Sequence, residues 1–249
     1  MKQLPAQPNQ SLIDGLACLQ AIATASEAVG SRELARRLGL EPTRVNRLIK
    51  TLAHLGLTAQ TEARKYTVGP AIHVLAAQTL FASGLLRRAL PVLRGLQSTR
   101  CWVALGVLWQ DQVSYLCHAD PLRPVEEGIG RISLYPATQS SIGMALLAAQ
   151  PEAAVRQLYR NRDIPRFGRN LPALLRRVRE IREKGYALVS DHGDASLAVP
   201  IGKAPTAALA LSGHRVASDQ ESCLVELQKV AERLAAEEGK HYEVKSGNL

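Results

Sequence analysis

The stretch that most constrains this chain is residues 31–68. It carries two short helical patterns with a glycine turn between them, then two strand-like pieces joined by a polar tip. Leu34, Ala35 and Leu38 make the inner face of a helix that opens at Ser31, a residue type suited to a helix start. Gly39 follows at the position where a left-handed backbone is often needed. Pro42 suits the first turn of a second helix, since the N–H it lacks has no helical partner there. Val45, Leu48, Ile49, Leu52 and Leu55 then recur at spacings of three and four, and Gly56 ends the run. Leu57–Thr61 and Lys65–Val68 read as short strands around a tip at Glu62, Ala63 and Arg64. Helix, tight turn, helix and hairpin in this order form a winged helix-turn-helix pattern, which needs a second helix with one buried face and one face free for a major groove.

The free face of that second helix has the chemistry such a groove requires. Thr43, Arg44, Asn46, Arg47, Lys50 and Thr51 fall off the apolar stripe. Arginine can pair bidentately with guanine and asparagine with adenine, while lysine and threonine more often meet phosphate. Thr43, Arg44 and Arg47 are therefore the base-edge candidates, with Asn46 and Lys50 in support. Arg64 and Lys65 sit on the wing, and Arg32, Arg36 and Arg37 on the preceding helix are placed for phosphate. The formal net charge of +9 agrees with a polyanionic partner, although charge alone decides little. Any one of these residues is equally well explained as a solvated surface charge; the ensemble carries the reading. Aromatic residues are only 4% of the chain, which argues against single-strand binding by base stacking.

At 249 residues the chain has length for about two domains. The first ten residues read as an arm, followed by a helix over 11–25 whose expected inner face is Leu12, Leu16, Leu19, Ile22 and Ala23. After the wing, an Ala- and Leu-rich helix over 70–82 reads as a linker that Gly84 breaks, and another helix covers 85–98. Beyond it, β-rich segments at 101–109 and 112–118 flank Asp111, and helices are expected at 140–149, 151–159 and 171–184. Strands are expected at 186–191, 197–201 and 207–211, before a closing amphipathic helix at 219–238. The expected organisation is a DNA-binding domain over 1–70, a linker helix over 71–84 and an α+β or α/β sensor-sized domain over 85–249. Cys18, Cys101, Cys117 and Cys223 are far apart and form no C-x-x-C pair, so neither a disulfide framework nor a metal site is expected. No apolar run reaches about 18 residues. With no signal-like apolar region in the first ten residues, a cytoplasmic protein is expected.

The order of short motifs resembles the IclR family of bacterial transcription regulators. The residues that carry this are Ser31–Leu40, Val45–Gly56 and Tyr66–Gly69 in the first domain. In the second they are Pro136–Thr138 with Gly143–Ala148, Ile181–Tyr186, Ala198–Ile201 and Ala208–Gly213. The resemblance implies dimers or tetramers on palindromic operators. It also implies a GAF-like C-terminal domain that binds a small organic effector, often a carboxylate or aromatic catabolite. Carried over residue by residue, the effector contacts fall on Ser140, Ser141, Ile142 and Gly143, and on Ser190, Asp191, Ser196 and Ser212. Two departures from the family pattern stand out. Met144 replaces a lysine in the small-residue motif, and Ser190–Ala195 is short for the segment between Gly-Tyr and the Ala-x-Pro strand.

The residues themselves support a ligand pocket in part. Serine hydroxyls and backbone N–H groups at a helix start suit an anion, but the same serines serve equally as helix caps. Asp191, His192 and Asp194 form a polar group that reads more readily as a solvated loop than as a hydroxyl or metal site. An enzyme is disfavoured: Cys117 and His118 are adjacent on a strand and so point to opposite faces, and no nucleophile elbow, phosphate loop or dinucleotide fingerprint occurs. The expectation is thus a regulator with no cofactor and no catalytic or metal site, whose operator binding answers to an effector. The alternative is a constitutive DNA-binding repressor whose second domain only oligomerises.

Overall fold

The computed structural model describes residues 7–130, 134–191 and 193–246, with side chains through Glu237. These residues divide into two compact units, one ending at Gly84 and one beginning at Leu85. The expected N-terminal arm lies outside the described residues as far as residue 6, as does His192.

The first unit contains α1 (Gln10–Ala23), α2 (Ser31–Leu38), α3 (Pro42–His54), β1 (Thr58–Gln60), β2 (Tyr66–Val68) and α4 (Pro70–Ser83). Local chemistry sets the boundaries. Asn9 accepts a hydrogen bond from the Leu12 N–H at 3.0 Å to open α1, and Glu41 accepts from the Thr43 N–H at 2.9 Å to open α3. Gly39 closes α2 in the left-handed conformation, with φ 63°. The strands β1 and β2 pair antiparallel from Thr58↔Val68 to Gln60↔Tyr66, and Val29 adds a backbone bridge to Tyr66. Cys18, Leu34, Val45 and Ile49 are fully buried at the centre. Each of the larger side chains contributes ~1.5–3 kcal/mol by leaving water.

One expected face is corrected. The buried positions of α1 are Asp14, Gly15, Cys18 and Ile22, whereas Leu12 and Leu16 are exposed. Asp14 turns inward to meet a cation on α3. The helix is therefore rotated relative to its most apolar stripe. That stripe joins Val74, Leu75, Leu80 and Phe81 of α4 as exposed apolar surface on this unit. No residue of α4 is buried.

The second unit contains α5 (Leu85–Leu96), β3 (Trp102–Trp109), β4 (Gln112–Ala119), β5 (Tyr135–Pro136), α6 (Ser141–Ala149), α7 (Glu152–Leu158), α8 (Leu171–Lys184), β6 (Ala187–Asp191), β7 (Asp194–Pro200), β8 (Ala207–Gly213), α9 (His214–Ser218) and α10 (Gln220–Ser246). Its sheet runs β5-β4-β3-β8-β7-β6 with every neighbouring pair antiparallel, so the unit is α+β. The closing helix starts close to the expected position, after the short α9, but extends beyond the expected 238 to Ser246.

Strand alternation sorts side chains by size onto the two faces of the sheet. Val103, Leu105, Leu197, Val199, Leu209 and Leu211 fill the face under α5 and α10. Ala104, Ala198, Ala208 and Ala210 line the other face, where α6 and α8 pack. A row of alanines leaves room for α6 to sit close, and residues 141–148 of that helix are buried all round. Arg182 donates to the carbonyls of Ala148 and Gln150, both at 2.8 Å, and so satisfies the end of α6. Two more arginines close the exposed edge of β6: Arg177 donates to the Leu188 carbonyl and Arg166 to the Ser190 carbonyl, each at 2.9 Å. All four cysteines are buried free thiols. No helix among the described residues is long and apolar enough to cross a membrane.

Candidate functional site

Two places bring the candidate residues together. The first is α3. Val45, Ile49 and Leu52 are buried on its inner side, and Thr43, Asn46, Arg47, Lys50 and Thr51 are exposed on the other. Neither Arg47 nor Lys50 has an ion-pair partner among the described residues. Arg64 and Lys65 are exposed at the wing tip, where Arg64 takes a left-handed backbone with φ 56°, and Arg32 is exposed on α2.

Arg44 stands apart from this set. Its guanidinium lies 2.7 Å from the Asp14 carboxylate, which is 4% exposed and also accepts from the Gln10 side chain at 2.8 Å. A cation committed to a buried carboxylate is held in place more than it is presented to solvent. The sequence signal for this was Asp14 itself, a charge inside the apolar pattern of α1, where an unpaired carboxylate would be costly.

The second place is a cavity of about 620 Å³ at the β6–β7 hairpin, lined by Trp102, His118, Tyr135, Gln139, Arg166, Val189, Asp191, Asp194, Ala195, Ser196, Ser212 and Gly213. Three of the effector candidates, Asp191, Ser196 and Ser212, line it. Ser141 stands directly behind them. The hydroxyls of Ser141 and Ser196 are 2.7 Å apart, as are those of Ser196 and Ser212, so the three form one relay.

The remaining candidates do not line the cavity. Ser140 accepts from the Gly143 N–H at 3.2 Å as the N-cap of α6, and its hydroxyl is 2.9 Å from that of Tyr115. Ile142 is fully buried in the core. Gly143 is required by close approach: a Cβ there would lie 2.2 Å from the Ala137 carbonyl oxygen. Ser190 is exposed, with its carbonyl taken by Arg166. Met144, at the position of the first family departure, is buried and lines a separate cleft of about 360 Å³ beside α8. The second departure appears as a tight turn, in which Asp191 pairs directly with Asp194 at the end of the β6–β7 ladder.

Sequence reasoning missed the cavity's aromatic wall and its cation. Trp102 stacks on His118 at 5.0 Å between ring centroids, and Tyr115 meets the same imidazole edge-on at 5.5 Å. Burial holds His118 below the ordinary histidine value, so the ring is neutral near pH 7. Burial likewise raises Tyr115, against the lowering effect of its bond to Ser140. The wall therefore adds aromatic surface and no charge. Arg166 comes from a loop distant in sequence, and no local pattern marked it. A larger, open groove of about 800 Å³ runs along α10, but its lining of Val199, Pro200, Ile201 and alanines with Lys203 and Glu232 converges on no comparable polar set. No group of three metal-ligating side chains occurs among the described residues.

Comparison with known proteins covers both units. The IclR helix-turn-helix domain family matches residues 11–62, and the bacterial transcriptional regulator IclR C-terminal family matches residues 77–236. The HTH-type transcriptional regulator BhcR of Paracoccus denitrificans is 31% identical over 183 residues, a match that spans 68% of this chain and 64% of that relative's length. An IclR-type regulator from Silicibacter sp. TM1040 superposes with a TM-score of 0.77 at 25% identity, covering 92% of this chain and 96% of the other. An IclR homologue from Microbacterium hydrocarbonoxydans, solved with 4-hydroxybenzoate, superposes with a TM-score of 0.64 at 22% identity over 91% and 98% of the two chains. Over both of its units, this chain belongs to the IclR family of bacterial transcription regulators.

Proposed function

We propose that the chain controls a catabolic operon through operator binding that a small organic acid, a carboxylate or aromatic acid, modulates from the cavity at the β6–β7 hairpin. One observation carries the effector half of this reading: a 620 Å³ cavity where an aromatic wall, a hydroxyl relay and one guanidinium converge. Arg166 is the group that would receive a carboxylate. The homologue that holds 4-hydroxybenzoate supports the aromatic-acid class. The cavity is read as binding without turnover.

On the DNA side, Thr43 and Arg47 are the base-edge residues, with Asn46 and Lys50 in support and Arg32, Arg64 and Lys65 on the backbone. Arg44 acts mainly by fixing α3 against α1. The exposed Leu12 and Leu16 of α1 and the exposed Val74, Leu75, Leu80 and Phe81 of α4 support self-association, as a dimer or tetramer that offers two copies of α3 to half-sites about one DNA turn apart. Effector binding shifts the population between DNA-binding geometries through α4, and acts only if its affinity differs between them. The protein works where its DNA is, in the cytoplasm.

The test combines thermal shift against aromatic and aliphatic acids with DNA binding to the protein's own upstream region. A saturable rise in melting temperature, with a change in operator affinity, supports the reading. Tight operator binding that no ligand alters favours a constitutive repressor instead. Loss of the Arg47 side chain should weaken operator binding by about 1–3 kcal/mol; unchanged binding would remove α3 as the recognition helix.

A further inference from the structure

We infer that the cavity takes a polyhydroxylated acid, a sugar acid whose carboxylate meets Arg166 while its hydroxyls meet Gln139, Asp194, Ser196 and Ser212. This rests on the reading of that cavity as the effector site.

The lining is more polar than an organic acid alone requires. Arg166 supplies the cation for a carboxylate, and its donation to the Ser190 carbonyl at 2.9 Å holds it in place. Beyond it the cavity presents groups of another kind. Gln139 and Asp194 are exposed in the lining, and their side chains have no hydrogen-bond or ion-pair partner among the described residues. Asp191 has a partner of its own, so Asp194 is the carboxylate left open. The relay of Ser141, Ser196 and Ser212 holds three hydroxyl protons and uses two of them in its 2.7 Å links, which leaves one to donate.

A plain acid, aromatic or aliphatic, would satisfy Arg166 and strip water from the other groups without replacing its hydrogen bonds. Each bond left unmade weakens binding by roughly tenfold. A hydroxyl both donates and accepts, so a chain or ring of hydroxyls matches an acceptor, an amide and a relay with one spare proton. Trp102 lines the same cavity and is 40% exposed, and the negative face of its ring draws the polarised C–H hydrogens of such a ligand. It is stacked on His118 at 5.0 Å, and that imidazole is neutral near pH 7, so the platform carries no charge. Asp194 also sets the orientation, since it repels a carboxylate from its end of the cavity toward Arg166.

The test is isothermal titration of the full chain with matched compounds. D-gluconate and D-glucuronate are compared with hexanoate, cyclohexanecarboxylate and benzoate, which keep the carboxylate and lack the hydroxyls, and with D-glucose, which keeps the hydroxyls and lacks the carboxylate. At least one sugar acid should bind about tenfold or more tightly than every plain acid and than D-glucose. Asp194→Ala and Gln139→Ala should each weaken that sugar acid about fivefold or more without weakening the plain acids, which shows that the cavity is still folded. Arg166→Gln should weaken the sugar acids and the plain acids alike. Equal or tighter binding of a plain acid, or an Asp194→Ala variant that binds the sugar acid normally, overturns hydroxyl recognition and leaves the organic-acid reading standing. If D-glucose binds as well as the acids, or if no compound binds, both fall.

Discussion

Arg44 and Arg47 sit one turn apart on α3, and the structure assigns them opposite consequences when truncated. Arg44→Ala leaves the carboxylate of Asp14 buried and without its cation at 2.7 Å. Breaking a buried ion pair by removing one partner costs ~3–5 kcal/mol. Two features here reduce that figure. The Arg44 side chain is 34% exposed, so water already screens the pair, and Gln10 still donates to Asp14 at 2.8 Å. The expected loss is about 2–3 kcal/mol. For a unit of this size each kcal/mol lowers the melting temperature by roughly 4–8 °C, so the first unit should melt about 10–20 °C lower. Adding Asp14→Asn to Arg44→Ala removes the stranded charge and should recover more than half of the loss. Arg47→Ala, exposed and unpaired, should stay within about 0.5 kcal/mol of the parent and lose operator affinity by about 1–3 kcal/mol. Differential scanning calorimetry of the full chain and DNA titration measure both quantities. If Arg44→Ala melts with the parent, or the double variant is no better than Arg44→Ala, the buried pair does not hold α3 and the reasoning is refuted.

Three further outcomes follow from the geometry. Gly143→Ala drives a methyl group to 2.2 Å from a backbone oxygen, with no flexible side chain to yield. It should destabilise the second unit by about 3 kcal/mol, and a melting temperature within a few degrees of the parent would show that the start of α6 can shift. Burial places His118 below its ordinary value of 6.5, so the unfolded chain takes up the proton first. The stabilisation is thus complete above about pH 6.5 and is lost as pH falls from there toward the folded value; the pH slope of melting should flatten in His118→Phe, and an unchanged slope would remove His118 as its source. Phe81→Asp places a charge in the exposed apolar surface of α4, where Phe81 is 84% exposed. Sedimentation should show weaker self-association with no change in helix content, and an unaltered oligomer would exclude α4 from the interface.

The DNA-binding unit was largely legible because its signals are local. A proline at the first turn of α3, a left-handed glycine after α2 and a 3–4 stripe all act within a few residues. The face of α1 was not legible by the same rule, since the inward turn of Asp14 depends on Arg44, thirty positions along the chain and on another helix. In the second unit the strands were readable one by one, but their order was not, because an antiparallel sheet with sequence-distant neighbours leaves no local trace. The cavity shows the same limit. Asp191, Ser196 and Ser212 were reached from a motif, while Trp102, His118 and Arg166 are assembled by the sheet order and the loop before α8. Ser140 and Gly143 were reached from the same motif as effector contacts, and what the structure shows at them is the capping and tight packing of α6.

The buried cysteines have a practical consequence. Burial pushes the Cys18 thiol up, and takes Cys117 and Cys223 to about 11, so in the folded state these sulfurs are protonated, poor nucleophiles and shielded from oxidants. Each becomes reactive only when the structure around it opens. Cys18 belongs to the first unit, and Cys101, Cys117 and Cys223 to the second. The chain thus carries an internal clock in each half, and the rate at which a thiol reagent is consumed at Cys18 against the other three reads the opening of the DNA-binding unit separately from that of the ligand-binding unit, with no label added.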